Sequence, residues 1–342
     1  MIATKVPVPD EHALGYIGKL YVRGTEVFAV GGTYGKSTLL CSSDGGQTFA
    51  SWKTPETPGL RDLCLDDKFV WVAGEYGCIA RTSNRGERWT EIKGANKKRV
   101  TGACLYAIER DAGGRFWVTG DDGLVLRSTT RSGRAFDTIE TNTDGRMLAI
   151  YFDPLDGNPW LLDTTGELQR WTGKEFVIVA VPALKTKASM NSIVRTPAST
   201  LLIAANAGTV LRSTDNGATW KKISTRVRGD LEVVEVTRYG IFVAGDRGAL
   251  VVSYDDGRSF VPVEIDLRHE HLWSIANVAG GILVGGEAGA IYRLARRDLA
   301  ELMHVAYSGT DPVLAALAAS IRDGDDSTEM VLEDALRERR LW

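Results

Sequence analysis

A short motif that recurs along the chain constrains the fold more than any other feature of the sequence. The pattern is Ser-x-Asp-x-Gly-x-Thr/Ser-aromatic, and it occurs at residues 42–49, 213–220 and 253–260, with a weaker copy at 82–89. Degenerate copies surround Gly133 and Gly173, so the anchor glycines follow one another at intervals of about 40–47 residues. A period of this length indicates a structure built from repeated supersecondary units.

Each repeat unit also contains two apolar runs separated by a turn of small residues. Seven such segments occur, namely VFAVGG, VWVAGEYG, FWVTGDDG, WLLDTTG, LLIAANAG, IFVAGDRG and ILVGGEAG. Short runs rich in Val, Ile, Leu and aromatic residues, punctuated by Gly, Asp and Asn, predict antiparallel hairpins. With four strands in each unit, here named A to D, the repeats predict an all-β, seven-bladed β-propeller with four-stranded antiparallel blades.

The recurring motif is predicted to be a structural turn between strands C and D. Its aspartate can accept hydrogen bonds from the amides that follow, its glycine permits a positive φ, and its aromatic residue can be buried. Because turns spread around a ring do not converge on one place, we expect scaffolding rather than a ligand site. The predicted structural residues are Asp44, Gly46, Phe49, Asn84, Gly86, Trp89, Asp215, Gly217, Trp220, Asp255, Gly257 and Phe260.

The intact copies of the motif, which begin at Ser42, Ser213 and Ser253, resemble the Asp-boxes (bacterial neuraminidase, or BNR, repeats) of sialidase-type β-propellers. The resemblance covers about residues 13–300 and implies the fold, but it says little about function, since Asp-boxes occur in enzymes, receptors and assembly factors. The chain length and the Arg-Ser-Thr before the motif, as at Arg212, also resemble the photosystem II stability and assembly factor family. That second resemblance implies partner binding without catalysis.

Composition and cysteine spacing narrow the class of protein. The net charge of −3 and the isoelectric point near 5.9 do not suggest nucleic-acid binding, and no run of about 18 apolar residues predicts a transmembrane helix. The four cysteines have no CxxC spacing, so they are expected to be free thiols rather than metal ligands. The first residues contain no apolar signal-peptide core. We therefore expect a cytoplasmic monomer without cofactor or metal.

The charged loops suggest where a partner binds. In a propeller the D–A and B–C loops share one face, opposite the C–D hairpins. The D–A loops supply Lys97, Lys98, Arg99, Arg146, Lys185, Lys187, Arg226, Arg228 and Arg268, and the B–C loops supply Glu75, Tyr76, Asp121, Asp122, Asp246, Arg247 and Glu287. This pattern predicts an electrostatically patterned docking face for a protein with acidic segments. The alternative is that these loops are charged only because they are solvated.

Two classes of function compete. The first is a non-catalytic, partner-binding propeller, either an assembly factor or an immunity protein that neutralises a toxin. The second is a glycan-active hydrolase with its site in the central channel. Resemblance to sialidases would imply an arginine triad and an Arg-Ile-Pro signature, whereas the segment before Asp44 offers only Arg23. We therefore favour the non-catalytic class, and a hydrolase would need two or three carboxylates with Arg or Tyr lining the channel mouth.

The two ends of the chain differ from the repeats. Residues 2–8 alternate like a strand and are predicted to complete blade seven, so the propeller would comprise residues 1–308. Residues 309–342 predict a tail of two amphipathic helices, since Asp311-Pro312 is a helix start and apolar residues recur at helical spacing. This tail could pack against the ring or reach into a groove of a partner.

Overall fold

The computed structural model describes residues 3–9, 15–33, 35–92, 100–184, 188–267, 270–339 and 341. Seven four-stranded antiparallel sheets follow one another along the chain in these residues, and their strands pair in the order A, B, C, D. The prediction of a seven-bladed β-propeller with four-stranded antiparallel blades is confirmed.

The strands are numbered in chain order and grouped here by their position in the blade. Strands A are β2 (Tyr16–Arg23), β6 (Leu60–Leu65), β10 (Leu105–Arg110), β14 (Met147–Phe152), β18 (Met190–Arg195), β22 (Leu231–Thr237) and β26 (Leu272–Val278). Strands B are β3 (Glu26–Thr33), β7 (Val70–Gly74), β11 (Phe116–Gly120), β15 (Pro159–Asp163), β19 (Leu201–Ala205), β23 (Gly240–Gly245) and β27 (Gly281–Gly286). Strands C are β4 (Lys36–Ser42), β8 (Ile79–Thr82), β12 (Val125–Ser128), β16 (Leu168–Trp171), β20 (Thr209–Ser213), β24 (Leu250–Ser253) and β28 (Ile291–Ala295). Strands D are β5 (Ala50–Ser51), β9 (Thr90–Glu91), β13 (Phe136–Ile139), β17 (Phe176–Val179), β21 (Lys221–Ser224), β25 (Val261–Pro262) and β1 (Ala3–Lys5).

The B strands form the core because each is an inner strand of its own sheet and packs against the blades on both sides. Every residue of β7, β11, β15 and β19 is buried, which explains their continuous apolar sequence. Trp71 of blade two packs on Phe116 of blade three with ring centroids 4.1 Å apart. Burying a large aromatic side chain contributes on the order of 2–3 kcal/mol. Contacts between blades therefore hold the ring together.

Ring closure joins the first strand to the last blade. The N-terminal strand β1 pairs antiparallel with β28, so that Thr4 lies opposite Arg293 and blade seven contains both ends of the repeat region. Val6 follows β1 and packs in the same cluster as Ile17 of blade one and Ile291 of blade seven. Main-chain hydrogen bonds and apolar contacts between residues far apart in sequence thus close the ring.

The helical tail begins earlier than the sequence predicted and has three helices rather than two. They are α1 (Arg296–Tyr307), α2 (Pro312–Arg322) and α3 (Thr328–Glu338). The sequence did not reveal α1 because it follows β28 directly and has no side-chain cap at Ala295. Asp311 does cap α2 and accepts hydrogen bonds from two backbone amides.

The three helices pack against blades six and seven. Leu299, Met303 and Leu314 of the helices share one apolar cluster with Phe242 and Val252 of blade six. The Tyr307 hydroxyl in α1 donates to the carbonyl oxygen of Tyr254 in blade six at 3.1 Å. The Tyr239 hydroxyl donates to Glu329 in α3 at 3.2 Å. The tail is therefore joined to the propeller by both apolar and polar contacts.

Candidate functional site

The seven A strands surround a central cavity of about 1020 Å³. Each A strand contains a β-bulge near its start, where one residue has no partner on strand B. A bulge re-aims the side chain of the unpaired residue. The bulges occur at one level in all seven blades and therefore create a ring of redirected residues around the cavity.

Three rings of A-strand residues surround the channel. The upper ring consists of the bulge residues Gly18, Arg61, Tyr106, Leu148, Asn191, Glu232 and Trp273. The middle ring consists of the next residues, Lys19, Asp62, Ala107, Ala149, Ser192, Val233 and Ser274. The lower ring lies two residues further and consists of Tyr21, Cys64, Glu109, Tyr151, Val194, Glu235 and Ala276, all of which line the cavity except Cys64. Charged and aromatic side chains are concentrated in blades one to three, six and seven.

One side of the cavity mouth is held by pairs between the upper ring and the B–C loops. The Arg61 guanidinium donates to Glu75 at 2.5 Å and to the hydroxyl of Tyr16. The Tyr106 hydroxyl donates to Asp121 at 2.9 Å, and the Arg146 side chain lies 3.8 Å from the same carboxylate. The predicted residues Glu75, Asp121 and Arg146 therefore lie in contacts at the mouth, together with three strand residues that the sequence did not predict.

A second part of the mouth, joined to the first by the contact between the rings of Tyr16 and Trp273, is built around a histidine. The ring of His271 stacks on Trp273 with centroids 4.0 Å apart, its Nε2 lies 3.1 Å from Glu232, and its Nδ1 lies 3.8 Å from Asp246. Burial lowers the pKa of His271, but the hydrogen bond that its ring donates to Glu232 and the charges of Glu232, Asp246 and Glu287 raise it above its ordinary value. The mouth therefore carries an imidazole whose protonated form is favoured by the carboxylates around it.

The B–C turns present their tips through a repeated backbone conformation. Tyr76, Asp122 and Arg247 have φ values of 55°, 53° and 57°, and in each case a glycine with positive φ follows. Two consecutive residues of this kind define the type I′ turn that suits antiparallel hairpins. The three side chains are exposed, and that of Tyr76 is 68% accessible.

A belt of main-chain hydrogen bonds links these turns from blade to blade. The glycine N–H at the end of five B–C turns donates to a carbonyl just before the next A strand, over 2.6–2.8 Å. The pairs are Gly77 to Ala103, Gly123 to Gly145, Gly208 to Gly229, Gly248 to Glu270 and Gly289 to Gly15. Because these loops are fixed before any partner arrives, a docking partner would not have to order them.

The remaining predicted docking residues are exposed, paired with each other, or outside the described part of the chain. Arg226, Arg228 and Glu287 are exposed on the same face without joining the cavity mouth pairs. Asp246 and Arg247 are paired with each other over 3.5 Å. Six predicted residues lie outside the described part of the chain, namely Lys97, Lys98, Arg99, Lys185, Lys187 and Arg268.

The interior of the cavity contains a charge cluster that the sequence did not reveal. The Lys19 ammonium lies 3.7 Å from Glu109 and 4.0 Å from Asp62. The charge of Asp62, followed by that of Glu109, raises the pKa of Lys19 despite burial. Burial raises the pKa of Glu109 and of Glu235 to about 7, although the charge of Lys19 opposes this shift. A single charged residue inside a strand is easily mistaken for a solvent-facing one, which is why this cluster was missed.

The turns that carry the recurring motif lie at the other end of the blades. In the first copy, Ser42 donates to Asp44 at 2.6 Å, and Asp44 accepts from the backbone amide of Thr48 at 3.0 Å. Hydrogen bonds from Ser42 and Thr48 lower the pKa of Asp44. The copies around Asp215 and Asp255 repeat this pattern. These hairpins are called box turns below.

The box-turn glycines also bring neighbouring blades together. A Cβ atom on Gly46 would lie 2.4 Å from Leu283 of blade seven, and a Cβ atom on Gly217 would lie 2.6 Å from Trp160 of blade four. Both glycines have positive φ as well. The motif therefore requires glycine for packing between blades in addition to its backbone conformation.

Among the described residues, no group of three or more His, Cys, Asp or Glu side chains is arranged to hold a metal ion. The helices in that part of the chain are all too short or too polar to cross a membrane.

Comparison with known proteins confirms the resemblance to photosystem II assembly factors. No protein-family model matches the chain. The photosystem II assembly lipoprotein Ycf48 of Nostoc sp. (strain PCC 7120 / SAG 25.82 / UTEX 2576) is 26% identical over 215 residues. The match covers 59% of this chain and 59% of that relative.

Solved structures with low sequence identity share the fold. YCF48 bound to D1 peptide has a TM-score of 0.66 at 19% identity, and covers 86% of this chain and 96% of its own. A catalytically inactive virginiamycin B lyase from Staphylococcus aureus with quinupristin has a TM-score of 0.67 at 14% identity, with coverage of 86% and 98%. The same architecture therefore supports peptide binding in one protein and a lyase in another, so the fold alone does not decide the function.

The expected cytoplasmic location is wrong. The Nostoc relative is a lipoprotein, and this finding contradicts an expectation that rested on the absence of a recognisable apolar segment.

Proposed function

We propose that this chain is a non-catalytic propeller that binds a protein partner on the face formed by its D–A and B–C loops, and that it acts as an assembly factor. The observation that carries the proposal is the belt of hydrogen bonds that fixes the B–C turns around the cavity mouth. A rigid face with charged and aromatic tips suits docking, because little conformational entropy is lost on binding.

The relatives support the choice of an assembly factor over an immunity protein that neutralises a toxin. The Nostoc relative is an assembly protein, and one structural neighbour was solved with a bound peptide. The exposed side chains Arg146, Arg226 and Arg228 make a segment with acidic residues the best-matched partner. We take the chain to be a monomer before its partner binds, and its molar mass by light scattering tests this.

The test is affinity purification from the source organism, followed by a direct binding measurement with the captured partner. Replacing Arg146, Arg226 and Arg228 together by glutamate should weaken binding at least about tenfold and reduce its dependence on salt. The matched control replaces three exposed lysines elsewhere on the blades, Lys174, Lys221 and Lys222, by glutamate. Equal binding by both triple variants would rule out the proposed face.

Glycan hydrolysis is a second candidate because Glu109 and Glu235 occupy the same lower ring as Tyr21 and Tyr151. This is the kind of carboxylate cluster that a channel hydrolase needs. We rank it second because hydrolases hold the two carboxyl pKa values apart, whereas burial brings both of these to about 7. Sugar release from a glycan panel that disappears in both Glu109→Gln and Glu235→Gln would reverse this ranking.

A further inference from the structure

The central cavity contains more carboxylates than the ammonium group of Lys19 pairs with. Its middle and lower rings contain one cationic side chain, Lys19, and the carboxylates Asp62, Glu109 and Glu235. Lys19 serves two of them, since its Nζ lies 4.0 Å from Asp62 and 3.7 Å from Glu109. Asp62 also accepts hydrogen bonds from the backbone amides of Leu63 and Ile108. Two of the three carboxylates are thus accounted for.

Glu235 is the third carboxylate, which does not pair with Lys19. Within the described ranges, no hydrogen bond or ion pair to its side chain is formed, although it lines the cavity. The charge that acts on it most is the more distant Lys19. Glu235 is only partly exposed, and a carboxylate in such a position without a partner is costly to ionise. Glu235 is therefore a polar group inside a cavity that no protein group satisfies.

We propose that the cavity binds a primary ammonium group at Glu235. The cavity already shows that it accepts this chemistry, because Lys19 of blade one is held as an ammonium by two carboxylates, one from blade two and one from blade three. Tyr21 and Tyr151 line the same cavity as Glu235, and aromatic rings attract cations. This inference does not depend on the proposed docking face.

A primary alkylamine fits the site better than a metal ion does. The described chain places no three metal-ligating side chains together, and the charge of Lys19 in the same cavity repels a divalent cation more strongly than a monovalent one. The cavity volume of about 1020 Å³ leaves room for an alkyl chain. Such an ammonium could come from the lysine side chain of a docked segment or from a free amine.

The titration of the site gives a specific signature. The groups that face Glu235 across the cavity are Lys19, Asp62, Glu109 and Tyr151. Burial raises the pKa of Glu235 to about 7, so at neutral pH roughly half of the molecules hold a proton there. A bound ammonium favours the ionised carboxylate and expels that proton. Binding should therefore release about half a proton at pH 7 and weaken about tenfold from pH 8 to pH 6.

The experiment is calorimetric titration of the full chain with n-butylamine and with Nα-acetyl-lysine methylamide, in phosphate and in HEPES buffer, neither of which contains a primary amine. We expect binding at pH 8 with a Kd on the order of 1 mM, with proton release revealed by the difference between the buffers. Binding of both probes would indicate a lysine of a docked segment, and binding of n-butylamine alone would indicate a free amine.

Two variants make the test specific. Glu235→Gln should remove binding, whereas Glu109→Gln, the matched control in the same ring, should retain it within about threefold because Glu109 already pairs with Lys19. Proton release by the unaltered chain provides a readout that does not depend on how the variants fold. The proposal is overturned if no binding occurs at pH 8 up to about 10 mM amine, if no proton is released, or if both variants lose binding equally.

Discussion

The two ends of the blades use their charged residues differently. At the box-turn end a buried ion pair joins one blade to the next, between Arg195 and Asp153, whose side chains are 5% and 0% exposed. At the cavity mouth the Arg146 side chain is 65% exposed beside Asp121, whereas those of Arg61 and Glu75 are 24% and 11% exposed. Charged side chains at the box-turn end therefore stabilise the ring, while exposed charged side chains at the mouth can contact a partner. Substitutions at the two ends should separate stability from binding.

Three arginines near the ends of C strands make contacts between blades at the box-turn end. Arg81 donates to the carbonyl of Ser132 in blade three, Arg212 pairs with Asp256 in blade six, and Arg293 donates to the carbonyl of Gly45 in blade one. Each arginine reaches the hairpin of the following blade. Buried pairs of this kind cost much to break even where their net contribution to stability is small.

The largest expected effect is at Asp153. This carboxylate accepts from Arg195, Arg170 and the Trp160 indole. Asp153→Asn leaves the buried Arg195 charge without its counter-ion and should lower the free energy of unfolding by about 3–5 kcal/mol. The control, Asp156→Asn, removes a 38% exposed partner of Arg170 and should cost less than about 1 kcal/mol. Urea denaturation measures the free energy of unfolding of both variants. Equal losses of stability would contradict the special role of the buried Asp153 pair.

The next largest effect is at Gly217. Alanine there places a Cβ 2.6 Å from Trp160 in a backbone conformation with φ of 85°, so Gly217→Ala should cost about 2–4 kcal/mol. Gly173 is the matched control because it has a φ of 94° and open space around its Cβ position. Gly173→Ala should cost only the backbone strain, about 1 kcal/mol. If thermal unfolding shows no difference between the two, packing between blades is not what the motif requires.

The repeat pattern was sufficient to predict the fold, because a 40-residue period, turn glycines and apolar runs leave few other architectures. The repeat pattern also placed Glu75, Asp121 and Asp246 in B–C loops, and the structure has these residues at the cavity mouth because all B–C loops lie on that face. It could not lead to Arg61 or Trp273, because a bulge has no signature in a short strand. Lys19 and Glu235 were also out of reach, since their meaning depends on which blades face each other across the cavity.

The smallest expected effect on stability is at the cavity mouth. Arg146 is largely exposed, and its Nε lies 3.8 Å from Asp121, so Arg146→Gln should change the free energy of unfolding by less than about 0.5 kcal/mol. The same substitution should weaken partner binding, chiefly by slowing association at low salt, because rim charges act on the encounter rate. Surface plasmon resonance at two salt concentrations measures this effect. The comparison between the two ends would fail if Arg146→Gln lowered stability as much as Gly217→Ala, since the mouth would then also be part of the framework.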